Sequence, residues 1–435
     1  MAEIPSRSVV YPFPAGLAPS DLFEVEADGK PVFVHDCPLG GVATFEAGGP
    51  TTVRVRPLRG GSEPTVRPLS RGIVATALEG WLEIGIDGPE KLFLEFGSGV
   101  LPLHLFANPP ENDRPDPSDP KVRYFAGGRV HETGSIRLGD GETLYLEGGA
   151  VVRGTVYAQG EGIRVAGPGL LDGDGLAYRS VQMLVFDGCR DLRVEGLTVV
   201  GTPSWMLVLG ACERAVVENV KLIGWVVCSD GIDVVGSRDV VVRNCFLRNN
   251  DDCVAIKAVD YRKGEDHRTD WRQDVERVLV EGCTLQNDRA GNAMEIGFET
   301  QTESIRDITF RDIDVIAAHG EGGVFTIHNG DRATVLNVLY ENIRVEHFYD
   351  KLIDFRILHS AYSRDIERGH IRDVTLRNVS TVTDRYHTVS LIGGYYAGHD
   401  IQGVTIENLT MGGRRVGSFD EIGGYVKHAE GVVVR

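Results

Sequence analysis

A short unit recurs through the last two thirds of the chain: an apolar residue, any residue, an apolar residue, any residue, then Gly, Asn or Asp. It reads IRVAG, LRVEG, AVVEN, VVVRN, VLVEG, ITFRD, VLYEN, VTLRN and VTIEN, closing at Gly167, Gly196, Asn219, Asn244, Gly282, Asp312, Asn342, Asn378 and Asn408. The spacings run from 23 residues (196 to 219) to 38 (244 to 282). Each unit is too short and too β-branched to hide its own apolar face, so stacking of neighbours must bury it. Units of this size with Val/Ile strands and Gly/Asn turns suit a parallel β-helix, in which strands of successive coils stack ~4.8 Å apart. Asn at equivalent turns tolerates left-handed backbone and stacks as a ladder. A leucine-rich solenoid would need a Leu/Asn signature and a propeller regular four-strand blades; neither pattern is present.

Residues 1–106 follow a different rule. Segments such as PVFVHDC, VATFEAGG, TTVRVRPL, WLEIGIDG and KLFLEF alternate apolar and polar residues between turns, which predicts half-buried strands and a small β-sandwich. ANPPENDRPDPSDP then carries five prolines. Proline fits neither helix nor central strand, so residues 107–124 read as a linker and 125–435 as the helical solenoid. The expected fold is all-β throughout, and the 54 glycines agree with many turns. The formal charge of −18 argues against a nucleic-acid partner, which would need clustered Lys and Arg. No run approaches the ~20 apolar residues of a membrane span. MAEIPSRSVVYPFPAG lacks a basic start followed by an apolar core, and the seven Cys show no zinc-like pairing. Reduced thiols and a cytoplasmic location are the expectation; oligomeric state is not legible.

Chemistry concentrates in three consecutive units. CSDGIDVV carries Asp230 and Asp233, NNDDCVAIKA carries Asp251 and Asp252, and NAMEIG carries Glu295. If one coil is 21–25 residues, Asp230 and Asp251 are equivalent positions on adjacent coils. Period-two alternation turns Ile232, Val234, Val254, Ile256, Met294 and Ile296 inward. Asp233, Ala255, Lys257 and Glu295 then face outward. The same alternation carries Cys253 outward, whereas its apolar thiol suits the coil interior, as for Cys245 and Cys283. One patch gathers Asp230, Asp233, Asp251, Asp252, Lys257 and Glu295. Acidic residues also cap solenoid turns or bind structural cations, but carboxyls this close raise one another's pKa, so one stays protonated while another ionises. An acid and a base in one cleft are what glycoside hydrolysis needs.

From about residue 125 onward the sequence resembles the polygalacturonases of glycoside hydrolase family 28 and the related dextranases and isopullulanases of family 49. GPGLLDGDG (167–175) is similar to the family's early Asp-Gly-x-Gly turn, and TPSWMLVLGACERAVVENVKLIG (202–224) to its Ser-Pro-x-Trp segment. CSDGID stands where the family has Asn-Thr-Asp-Gly-x-Asp, and NNDDCVAIK matches its Asp-Asp-Cys-Val-Ala-Ile segment. The resemblance implies a right-handed β-helix and an inverting hydrolase without cofactor or catalytic metal, acting on an oligo- or polysaccharide. Asp251 would be the general acid, and Asp230 and Asp252 would hold and activate water. Inversion calls for roughly 6.5–9.5 Å between acid and base carboxyls. An N-terminal sandwich points toward the dextranase side.

The pattern breaks at two places. Asn292 replaces the histidine of the family's Gly-His-Gly. In GVFTIHN, Phe325 and Ile327 stand for the Arg and Lys that grip galacturonate, and neither holds a carboxylate. A neutral or unusual glycan is therefore expected. The alternatives are a galacturonide-cleaving enzyme, a lyase with Lys257 as its base, and a non-catalytic carbohydrate-binding protein. Lys257 serves either a sugar hydroxyl or a structural salt bridge; Trp205 either stacks on sugar or packs; His328 contacts substrate or closes a turn. The insert VDYRKGEDHRTDWRQD (259–274) is either a lid over one end of the cleft, which would favour exo action, or a solvated loop.

Overall fold

The computed structural model describes residues 8–61, 63–97, 99–263, 267–383 and 389–435. Strands from Ser8 to Asn108 form a six-stranded and a five-stranded sheet. Their inward faces share one core built on Phe23, Val25, Phe45, Val53, Val55, Ile84, Leu92 and Leu105. From Val122–Phe125 onward, 31 strands pair in sequence order as one continuous, predominantly parallel array. The result is a right-handed parallel β-helix behind an N-terminal β-sandwich.

One coil shows how the repeat folds. Leu184–Asp187 lies in the first sheet, Arg190–Glu195 in the second and Thr198–Val200 in the third; Leu207–Gly210 returns to pair with Leu184–Asp187 in parallel. The repeat's closing residue sits at the corner between the second and third sheets. All nine closing residues have positive φ, from 53° at Asn219 to 106° at Gly167. Only Gly, Asn and Asp occupy that region at low cost, which explains the restricted alphabet. The Asn side chains form the expected ladder: Asn342 Nδ2 donates to Asp312 Oδ1 (2.9 Å), Asn378 to Asn342 (3.0 Å) and Asn408 to Asn378 (2.9 Å).

The first sheet carries the acidic patch. Its register aligns Ile232, Val254, Met294, Phe325 and Ile353 in one inward row and Val234, Ile256, Ile296, Ile327 and Phe355 in the next. These side chains form the solenoid core. Burying each contributes about 1.5–3 kcal/mol relative to exposure. Two expectations are corrected here. Cys253 lies inside the coil, because it precedes the strand at a corner and the two-residue alternation begins only at Val254. Phe325 and Ile327 also point inward, so they do not occupy sugar-facing positions at all. The outward residues of that strand are Thr326 and His328, aligned with Glu295 and Gly297.

The sandwich does not sit on the end of the solenoid. It lies along its flank, where Val42, Phe93 and Phe106 pack on Val151, Leu170, Val200, Ile223, Phe246 and Ile316. The proline-rich segment is docked too: Arg114 hydrogen-bonds Tyr124 at 2.7 Å and pairs with Glu147. The insert forms a hairpin, Val254–Lys263 against His267–Trp271, whose residues 264–266 lie outside the described residues. Its base is anchored by Trp271, packed on Val185, Val208, Val235 and Val259, with its indole donating to Asp187 Oδ1 at 2.8 Å. A Cβ at position 210 would lie 2.1 Å from that ring, so glycine is required beneath it.

Candidate active site

Asp230, Asp251 and Asp252 lie where two successive loops enter the first sheet, and one oxygen from each is within 4.8 Å of the other two. They line a cleft of about 780 Å³ together with Arg179, Trp205, Cys228, Lys257, Asn292, Phe298, Glu299, His328, Asp354, Arg356, Tyr362 and Arg364. The three carboxylates are set more tightly than the 6.5–9.5 Å expected for an inverting pair. The compression follows from chain geometry: Asp251 and Asp252 are adjacent at the foot of one strand, and Asp230 is one coil away.

Backbone groups fix Asp251. Oδ2 accepts from Cys228 N at 2.9 Å and Oδ1 from Asp252 N at 3.0 Å. Burial, and then the charge of Asp230, push its carboxyl up to about 7. Asp252 faces away toward Asn292, whose backbone N and Nδ2 both donate to Oδ1 at 2.7 and 2.9 Å. Burial and the charges of Asp251, Glu295 and Asp230 hold Asp252 well above the ordinary range. Asp230 Oδ2 accepts from Lys257 Nζ at 2.8 Å. The same ammonium lies 2.8 Å from Asp233 Oδ1 and 4.1 Å from the centre of the Trp205 ring. Burial alone would lower Lys257, but Asp230 and Asp233 push it well above its ordinary value, so it remains charged. Asp230 thus shares one ammonium with Asp233 and sits beside Asp251 and Asp252, and like-charge repulsion keeps a proton on the cluster at neutral pH.

A second network lies two coils on. The His328 ring donates through Nδ1 to Glu295 (3.0 Å) and through Nε2 to Asp354 (3.2 Å), and Arg356 Nη2 reaches Asp354 Oδ2 at 2.7 Å. Burial alone would lower the imidazole, but Glu295 and Asp354 push it up to about 9. Phe298 stacks on its face with centroids 4.4 Å apart. His328 is therefore an imidazolium at neutral pH with both N–H groups engaged.

The sequence-derived residues divide accordingly. Asp230, Asp251, Asp252, Lys257, Trp205, Asn292 and His328 all line the cleft. Asp233 and Glu295 do not. Both face outward from the coil but are fully buried, under Lys257 and His328 respectively, so the substrate contact expected of them is corrected to a supporting role. The amide N–H groups of Asn292 are held by Asp252, and its Oδ1 accepts from Gly323 N at 2.9 Å. Sequence reading missed Asp354 and Arg356, although DFRI has the same alternation as GVFTIHN one coil earlier. It also missed Phe298, at the far end of the strand Met294–Thr300, and Arg179, Tyr362 and Arg364, which sit on loops with no periodic signal.

Gly291 packs directly against the Asp251 carboxyl. With φ of +67°, it would place a Cβ 2.5 Å from both Asp251 Oδ1 and Asp252 N. Gly291→Ala is expected to lower kcat by about 10²-fold through displacement of the Asp251 carboxyl, with unfolding still cooperative. Kinetics and thermal unfolding on the same preparation check this.

The profile of glycosyl hydrolases family 28 matches residues 155–423, which takes in every one of these cleft residues. The chain belongs to that family. A probable polygalacturonase from Arabidopsis thaliana is 22% identical over 172 residues, covering 39% of this chain and 35% of that protein. An exopolygalacturonase from Rhizopus delemar is 22% identical over 270 residues, covering 57% of this chain and 64% of the other. This family 28 member thus aligns with about a third of the length of the first relative and under two thirds of the second. Dex49A from Penicillium minioluteum superposes with a TM-score of 0.66 over 98% of this chain and 96% of its own, at 14% identity. At that identity the likeness speaks for the fold, sandwich included.

Proposed function

We propose that this family 28 protein hydrolyses O-glycosidic bonds in an oligo- or polysaccharide with inversion, Asp251 protonating the leaving oxygen and Asp230 and Asp252 together holding and activating water, Asp230 as its base. The observation that carries the reading is the Asp251 carboxyl, raised to about 7 beside a carboxylate already paired with Lys257. That combination gives an acid and a base at one pH in one cleft. Membership in the family supports inversion, and the close packing of oxygens requires the water to sit against Asp230 and Asp252 rather than between distant walls. A polysaccharide lyase would need a neutral amine as base; Lys257 is buried between two carboxylates and stays protonated. A purely binding role would leave the raised Asp251 without purpose.

A neutral sugar is the favoured substrate. On the cleft floor Lys257, His328 and Arg356 each face a carboxylate, so none is left over to hold a charged ring. Arg179 and Arg364 line the walls without a carboxylate partner among the described residues, and they favour the second reading, a uronide. The seven free cysteines, six of them buried, fit a reducing, cytoplasmic setting.

The test is incubation with neutral and uronic-acid oligosaccharides, followed by proton NMR of the first anomer released. The inverted anomer from a neutral glycan is expected. Turnover of galacturonides alone would overturn the neutral reading, and release of the retained anomer would overturn the water-activating role of Asp230. Activity is expected to survive chelation, since Lys257 already compensates Asp230; loss on chelation would favour the lyase.

A further inference from the structure

The cleft has two unlike ends. Upstream of Asp233 the outward row of the first sheet is Val208 and Val185, both buried beneath Trp271 and the hairpin base. No sugar can lie there without displacing that cluster. Downstream the floor stays open among the described residues. Strand register carries the row from Asp354 to Leu391 and then to Tyr425, and the neighbouring row from Arg356 to Gly393 and Lys427. Tyr425 is 55% exposed. It lies two coils past Asp354, about 10 Å at ~4.8 Å per coil.

One wall of the cleft continues in the same direction. Phe298 lies 5.6 Å from Tyr362, centroid to centroid, and both border the catalytic cleft. In the next coil the chain leaves Ser390–Gly393 and turns through Tyr395 and Tyr396, whose rings are 5.6 Å apart. A hydrogen bond from Tyr395 N to His399 O (2.9 Å) holds that turn. Tyr362, Tyr395 and Tyr396 are 54%, 47% and 51% exposed. Half-exposed tyrosines stepping along one wall, with another on the floor, combine flat apolar faces and hydroxyls, the surface that the two faces of a pyranose ring and its hydroxyl rim require.

We propose that Tyr395, Tyr396 and Tyr425 form a distal binding platform for the sugar residues of a linear glycan beyond the cleaved bond, so that the chain lies over the C-terminal coils and enters from that end only. The proposal rests on the glycosidase reading for its substrate class. The platform acts on affinity for long chains and leaves the chemistry at Asp251 alone.

The experiment measures kcat and KM for isomalto-oligosaccharides and oligogalacturonides of two to six residues, with the wild type and with Tyr425→Ala and Tyr395→Ala/Tyr396→Ala. The wild type is expected to lose KM steeply with length, and the variants to show a KM raised about tenfold for the longest chain and unchanged for the shortest. Equal effects on all lengths, or none, would overturn the platform. In parallel, Asp251→Asn protein is run in native gels containing dextran or polygalacturonate. Retardation that depends on Tyr425 supports the platform even if no oligosaccharide is cleaved, a result that would sink the hydrolase reading alone. Retardation indifferent to all three tyrosines, or equal association of the protein with itself through them, would overturn it.

Discussion

Asp251→Asn is expected to reduce kcat by about 10³-fold or more while leaving the protein folded. A positioned general acid contributes about 10²–10⁴-fold, and an amide cannot supply its proton. The pH dependence follows from the same group. Its carboxyl titrates at about 7, so the active, protonated form declines as pH rises through that value, and kcat falls with a slope of one proton. In the variant that limb disappears. Stability moves in the same direction. A carboxyl raised in the folded state binds more protons than in the unfolded chain, so its favourable contribution is complete below the unfolded value near 4 and is lost as pH climbs through 7. Replacing it with an uncharged isostere removes that loss, and Asp251→Asn is expected to be at least as stable as the wild type at pH 8. A variant that is dead and unstable, or one that keeps the alkaline limb, would remove Asp251 from the role of acid.

How far this was legible in the sequence depends on which kind of order carried the residue. The solenoid was readable because the left-handed corners admit only Gly, Asn and Asp, and because inward rows such as Val254–Met294–Phe325 demand alternation. The grouping of Asp230, Asp251 and Asp252 followed from coil length alone. Depth was not readable. Asp233 and Glu295 face outward by alternation, yet Lys257 and His328 lie over them, and only packing in three dimensions shows which layer meets the solvent. The alignment of Phe325 with a sugar-gripping arginine failed because a motif match tolerates a shift of one residue and a strand does not. The flank on which the sandwich rests rides on Phe93 and Phe106 from the sandwich and Phe246 from the solenoid, apolar residues that look like any other core position in the chain.

Lys257 tests the layer that sequence could not see. Its ammonium is within 2.8 Å of Asp230 and Asp233, and all three side chains are at most 5% exposed. Replacing it by Met keeps the volume and removes the only cation between two buried carboxylates. Leaving such charges uncompensated costs about 3–5 kcal/mol, so Lys257→Met is expected to unfold at markedly lower denaturant concentration with an unchanged slope. Activity falls as well, since Asp230 loses the ammonium that holds its carboxyl in place. The two effects separate in a double mutant. Asp233→Asn in the Lys257→Met background removes one of the stranded carboxylates and is expected to restore much of the lost stability. It leaves kcat low, because Asp230 still has no ammonium. Coupling of this sign between contacting residues is what a shared ion network gives. Additive losses would mean that Lys257 acts through its packing under Trp205 instead, and recovery of kcat along with stability would mean that Asp230 needs no cation to work.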